Sequence, residues 1–137
     1  MNNRRKFIKS TLLVAGGIAV ASPAFAAKKK KGINTRGIIY SKDDSGMWDE
    51  KVGSHAPKVE VDGNQVTLTT EHGMTERHYI VRHTLVADGG EVIGTETFYP
   101  EDPKAVSIYE IPSGTKGKLF ATSFCNKHDF WLTEFEI

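Results

Sequence analysis

The sequence predicts an all-β domain, an immunoglobulin-like β-sandwich of seven or eight strands running from Gly37 to Ile137. Three observations predict it. From Arg36 onward, short runs rich in β-branched and aromatic residues are broken by turn residues. No stretch sustains the apolar period of about 3.6 residues that an amphipathic helix needs. Seven or eight such runs fit into about 100 residues, the strand density of a two-sheet sandwich.

Taken in order, Gly37 to Ser41 opens the series with Ile38, Ile39 and Tyr40. Asp43 to Gly53 is polar, contains glycine and carries Met47-Trp48 in its middle, and it reads as a mobile loop over one end. Loops at the ends of rigid sandwiches are where sites tend to lie. In Lys58 to Val61, Val59 and Val61 alternate with polar neighbours; Asp62-Gly63-Asn64 signals a hairpin turn, and Val66 and Leu68 resume the alternation in Gln65 to Thr70. His78 to Ala87 and Val92 to Phe98 flank Asp88-Gly89-Gly90, and Ala105 to Ile111 ends at Pro112-Ser113-Gly114. Lys118 to Cys125 and Phe130 to Ile137 complete the set, and no internal repeat is present.

The first 27 residues read differently. Arg4-Arg5-Lys6-Phe7-Ile8-Lys9 is basic, Thr11 to Val20 is mildly apolar, and Ala24-Phe25-Ala26-Ala27 offers a small-x-small cleavage site. These are the three parts of an export signal, and the paired arginines resemble the twin-arginine version. A membrane anchor would need roughly 20 apolar residues, whereas Gly16, Gly17 and Ser22-Pro23 interrupt this stretch. The expected organisation is an export signal over 1–27, a basic flexible segment over 28–36 and one domain over 37–137, released to the periplasm without stable membrane insertion.

The chain has 18 Lys and Arg against 17 Asp and Glu, but four of the basic residues lie in the export signal, so the remainder is net acidic. No basic face for nucleic acid is implied. An exported protein lives where disulfides persist, yet Cys125 is the only cysteine and has no internal partner. It is either a buried apolar residue or committed to chemistry such as metal binding.

Four of the five histidines fall into local groups with that cysteine: His55-Ala56-Pro57, His72 to His78, and Cys125-Asn126-Lys127-His128. Each histidine alone carries little weight. Together they are a donor set suited to first-row transition metals. Cys-x-x-His in a tight loop lets thiolate and imidazole reach one ion, and His72 and His78 flank a polar loop entering a strand. His83 lies an odd number of residues after His78, so strict alternation would place it on the opposite face, as a structural or surface residue and not a ligand, with Arg82 on the His78 face as an ion pair or lid.

The segments His55 to Glu60, His72 to Ile80 and Cys125 to His128, with Phe130-Trp131 behind, resemble the iron-binding domain shared by desulfoferrodoxin, neelaredoxin and superoxide reductase. The likeness runs from Val52 to the C-terminus with the blocks in the family's order. It implies an immunoglobulin-like sandwich holding one iron ion (Fe2+/Fe3+). His55, His72, His78 and His128 would be equatorial ligands and Cys125 the axial one, with the position opposite sulfur open to substrate. An axial thiolate pushes electron density onto iron, which suits reduction of superoxide to hydrogen peroxide with one electron from an external electron-donor protein. A single cysteine cannot build the four-cysteine module of desulfoferrodoxins, so the resemblance is to the one-iron class. Family members form dimers or tetramers, which makes a homo-oligomer an expectation by analogy.

Four positions depart from the family. Gly53-Ser54 stands where Glu-Lys usually precedes the first ligand histidine, and Glu50-Lys51 lies three residues upstream, which makes Lys51 the candidate catalytic cation. Asp129 replaces the glycine that commonly follows the last ligand, and Arg82 replaces a frequent tryptophan. Two other readings use the same residues: a non-catalytic periplasmic iron-binding or redox-sensing protein of this fold, and a blue-copper electron carrier, which would need a weak axial methionine beyond His128.

Overall fold

A computed structural model of the chain describes residues 34–137. The export signal expected over 1–27, and the basic segment up to residue 33, lie outside the described residues. Eight strands form: β1 Ile39–Ser41, β2 Lys58–Asp62, β3 Gln65–Thr70, β4 Ile80–Ala87, β5 Val92–Thr97, β6 Ala105–Glu110, β7 Lys118–Cys125 and β8 Asp129–Glu136. They make a five-stranded sheet in the order β1-β8-β7-β4-β5 and a three-stranded sheet in the order β2-β3-β6. The all-β sandwich is therefore the architecture, and β3 and β7 occupy the spans read from the sequence. Every pairing is antiparallel except β1 with β8.

Alternation sorts the side chains into layers. Val66 and Leu68 on β3, Leu85 on β4, Tyr109 on β6, Leu119 and Ala121 on β7, and Ile111 just after β6 make the main apolar cluster. Ile80, Phe98, Ala105 and Cys125 make a smaller one, with Met74 packed against it. Between them along the same strands sit four buried polar residues: Thr70, His83, Ser107 and Ser123. The Thr70 hydroxyl donates to Ser123 Oγ at 2.9 Å, which leaves Thr70 Oγ1 to accept from His83 Nε2–H at 2.8 Å. His83 Nδ1 then accepts from the Ser107 hydroxyl at 2.8 Å. This belt joins both sheets and satisfies every ring nitrogen, as a buried polar group requires. His83 is structural.

Two glycines are set by close approach. The Tyr109 ring crosses from β6 to β5, where a Cβ on Gly94 would lie 2.3 Å from Tyr109 Cδ1. Gly46 has φ +55°, and its Cβ would stand 3.0 Å from the Tyr40 ring.

The structure corrects three expectations. Asp43 to Gly53 is not a loop throughout: a 3-10 helix covers Gly46–Lys51 and a helical turn, α1, covers Val52–His55. Pieces this short fall below the window in which an apolar period is visible. β4 begins at Ile80 rather than at His78, because His78 and Thr75 exchange backbone hydrogen bonds at 3.1 Å and close a tight turn. The register of β4 against β7 also shifts between Ile80 and Arg82. Strict alternation therefore does not run from His78 to His83; His83 points inward because of the bulge, and Arg82 is exposed, without an ion-pair partner among the described residues.

Burial holds the His83 pKa down at about 4, against 6.5 unperturbed. A depressed histidine pKa means that the unfolded chain takes up the proton first, so stability is full above the unfolded pKa and is lost as pH falls towards the folded one. The metal-free protein is expected to lose about 2 kcal/mol through His83 between about pH 7 and about pH 5. Urea unfolding of the parent and of His83→Gln at the two pH values checks this, with the variant lacking that increment.

Candidate metal centre

Antiparallel pairing brings the ends of β3 and β7 and the starts of β2, β4 and β8 to one end of the sandwich, and the candidate ligands lie on the connections there. His55 closes α1, where Pro57 bars continuation of the helix by holding Ala56 extended at φ −67°, ψ 124°. Thr133 on β8 donates to the Pro57 carbonyl at 2.7 Å and anchors that turn. His72 follows β3. His78 sits in the Thr75 to His78 turn, which the Thr75 hydroxyl braces by donating to the His78 carbonyl at 3.0 Å.

The Cys125 to His128 loop is held from two sides. Asn126 Oδ1 accepts from Tyr79 N–H at 3.1 Å and its Nδ2 donates to the Arg77 carbonyl at 3.1 Å, clamping the loop to the His78 segment. Behind it, the fully buried Trp131 donates its indole N–H to the His128 carbonyl at 3.0 Å. Asp129 turns the chain into β8 at φ +57°. That left-handed conformation favours glycine and admits Asp or Asn, which explains the residue type usual at this position.

Four of the five expected residues, His55, His78, Cys125 and His128, form one group, and His72 adjoins it through His78. His55 Nε2 lies 2.8 Å from His128 Nδ1, His128 Nδ1 lies 3.1 Å from His78 Nε2, and His78 Nε2 lies 3.1 Å from His72 Nε2. The rings close a square: centroids of neighbours are 4.6 Å (His55 and His72), 4.4 Å (His72 and His78), 4.8 Å (His78 and His128) and 4.7 Å (His128 and His55) apart. Neighbouring planes cross at 70–84°, while His55 and His78 face each other across the diagonal at 5.9 Å. Cys125 Sγ stands 3.6 Å from His128 Nδ1. The ligand atoms of His55, His78, Cys125 and His128 all lie within 4.8 Å of one another.

Hydrogen bonds choose the inward nitrogens. His55 Nδ1–H is taken by the Lys51 carbonyl at 3.2 Å and Ser54 Oγ at 2.8 Å, and His72 Nδ1–H is taken by the Gly73 carbonyl. Their Nε2 atoms therefore carry lone pairs. Burial depresses all four imidazole pKa values, that of His55 to about 4, and repulsion between the charged rings adds to the effect at His55, His72 and His78. Burial raises the Cys125 thiol, opposed by the backbone N–H groups of Lys127 and His128 that point at its sulfur.

Lone pairs crowded around one point repel unless a cation sits among them. Nitrogens bound at about 2.1 Å to one ion stand about 3.0 Å apart when adjacent in a square, and three of the four neighbouring pairs, His55 with His128, His78 with His128 and His72 with His78, stand 2.8, 3.1 and 3.1 Å apart. The donor set therefore fits a first-row metal taking four nitrogens and a sulfur.

Lys51 ends the 3-10 helix, and its charge lies close enough to lower the pKa values of His72, His78 and His128. Trp48 packs edge-on against His128, with centroids 4.7 Å apart. The roles of Asn126, Trp131 and Ser54 are absent from the sequence reading; the only signal for them was adjacency to a ligand.

Comparison with known proteins places these features. The desulfoferrodoxin family model matches residues 47–134. The chain is similar to the superoxide reductase (neelaredoxin) from Ignicoccus hospitalis, at 27% identity over 72% of this chain and 93% of that one, with a TM-score of 0.56. It is likewise similar to a single-site variant of the superoxide reductase (neelaredoxin) from Archaeoglobus fulgidus in the reduced form, at 25% identity over 65% and 92%, TM-score 0.55. The one-iron superoxide reductase from Giardia intestinalis shares the fold at 24% identity over 61% and 98%, TM-score 0.56. No curated protein sequence matches the chain.

The left-handed Asp129 predicts that Asp129→Gly stabilises the metal-free protein by about 1 kcal/mol, because glycine adopts this conformation without a Cβ clash. Asp129→Val should destabilise it by at least as much, and thermal unfolding of both variants measures the difference.

Proposed function

The chain belongs to the desulfoferrodoxin family, and from that premise we propose that it is an exported mononuclear non-haem iron protein that reduces superoxide to hydrogen peroxide. The observation that carries this is the square of four imidazole rings with a cysteine sulfur beside it. Members of the family hold a single non-haem iron, and the chain has a His/Cys group able to take one.

In this reading His55, His72, His78 and His128 supply nitrogen, through Nε2, Nε2, Nε2 and Nδ1 respectively, and Cys125 supplies sulfur. An iron ion held by these residues would supply the one electron that superoxide needs, and solvent the two protons that complete hydrogen peroxide. The Lys51 and Ser54 contacts to His55, and that of Gly73 to His72, hold these rings with the lone pair inward, as outer partners of metal-bound histidines do. Backbone N–H groups at Lys127 and His128 favour the thiolate form of Cys125. Lys51 provides the cation that attracts the anionic substrate, and electrostatic steering of this kind raises association rates by about 10 to 1,000-fold.

Export by the twin-arginine route through residues 1–27 completes the proposal, since that route carries folded proteins and lets the metal be loaded before export. The protein would then act in the periplasm, draw electrons from an external donor protein and associate with copies of itself. Gly53-Ser54, in place of the family's usual Glu-Lys, favours one second reading, an iron-binding or redox-sensing protein that does not turn over superoxide. Four imidazoles exceed the donor set of a blue-copper site.

Mature protein is expected to bind one iron per chain and to show a sulfur-to-iron absorption band when oxidised; Cys125→Ser should abolish the band, and a band that survives would remove sulfur from the site. Stopped-flow mixing of the reduced protein with superoxide should develop the same band. Iron that stays reduced would select the binding or sensing reading. Lys51→Ala should slow this reaction about tenfold and flatten its dependence on ionic strength.

A further inference from the structure

The 3-10 helix over Gly46–Lys51 carries a second polar group beside the centre. Along it Ser45, Trp48 and Lys51 are partly buried, while Gly46, Met47, Asp49 and Glu50 are exposed. Trp48 touches the His128 ring, and the charge of Lys51 reaches His72, His78 and His128, so both stand beside the imidazole cluster. The backbone at Trp48 leaves helical geometry, with φ −109° and ψ 31°, and its ring rests edge-on against His128. The indole Nε1–H is sealed from solvent and meets no acceptor among the described residues. The other tryptophan near the centre, Trp131, has its N–H satisfied by the His128 carbonyl at 3.0 Å.

An unpartnered buried donor is costly, by about 1–3 kcal/mol, and is rare without a reason. Here it stands beside a ring of the metal centre, which the charge of Lys51 also reaches. Gly53 and Ser54, next in the chain, carry no charge to meet an anion. We propose that the Trp48 indole N–H donates a hydrogen bond to the anion received beside His128, with Lys51 supplying the charge and Trp48 the direction. Superoxide and the peroxide formed from it are both hydrogen-bond acceptors, so one donor serves arrival and product. The inference rests on the reading of the cluster as an iron site and assigns a specific donor to it.

Azide is the probe, a small anion whose binding to the oxidised, iron-loaded protein is followed through the visible spectrum. Trp48→Phe keeps the aromatic contact with His128 and removes the donor. Benzothienylalanine at position 48 keeps the two-ring shape and replaces N–H by sulfur. Both are expected to leave iron content and the azide-free spectrum unchanged and to weaken azide binding about tenfold. That loss should be insensitive to ionic strength, whereas the loss in Lys51→Ala should shrink as salt rises. Equal azide affinity in the parent and in either iron-loaded Trp48 variant overturns the inference, leaves the iron site standing and assigns the N–H to the face of the His128 ring. A parent protein that takes up no iron overturns both.

Discussion

Four imidazole rings and one thiol gathered at one end of the sandwich cannot satisfy one another. His55 and His72 have given their Nδ1 protons to backbone carbonyls, so their free lone pairs point at the same space as those of their neighbours. Adding protons is no remedy, since burial and like-charge repulsion push the imidazole pKa values down. The thiol of Cys125 is likewise held towards its neutral form by burial. A metal cation is the one partner that relieves all of these at once, and the connections at that end of the sandwich are shaped to keep the donors together for it.

Holding them requires a stiff base, and the layered core supplies it. Cys125 belongs to the small apolar cluster with Ile80, Phe98 and Ala105, so its sulfur is positioned by side chains from both sheets. Next along the strands comes the belt of His83, Thr70, Ser107 and Ser123, which hydrogen-bonds one sheet to the other. Apolar contacts tolerate sliding, whereas hydrogen bonds of defined geometry do not. The belt thereby fixes the offset between the sheets, and with it the approach of His72 on the β3 side to His78 and Cys125 on the β4 and β7 side.

The segment before His55 has structure of its own. Gly53-Ser54 removes the usual charged pair, yet the Ser54 hydroxyl orients His55, and the 3-10 helix presents Trp48 and Lys51 towards the imidazoles. Charge and hydrogen-bond donation are thus offered from one helical turn upstream. The kink at Trp48, which no apolar pattern announces, lies where its ring meets His128.

Much of this protein was legible in its sequence. Eight alternating runs split by glycine, proline and asparagine turns determine strands and sandwich, since alternation and turn chemistry are local properties of the chain. Donor chemistry was equally local: His55, His72, His78, Cys125 and His128 stand out by residue type and grouping. Tertiary structure decided what depends on distant partners. The nitrogen each ring points inward follows from carbonyls and hydroxyls placed by folding, as at His55. The inward turn of His83 follows from a register shift between β4 and β7 that no single strand encodes. Asn126 and Trp131 hold the cysteine loop only because β4 and β8 lie beside it, and Trp48 meets His128 only because the chain folds back across eighty residues.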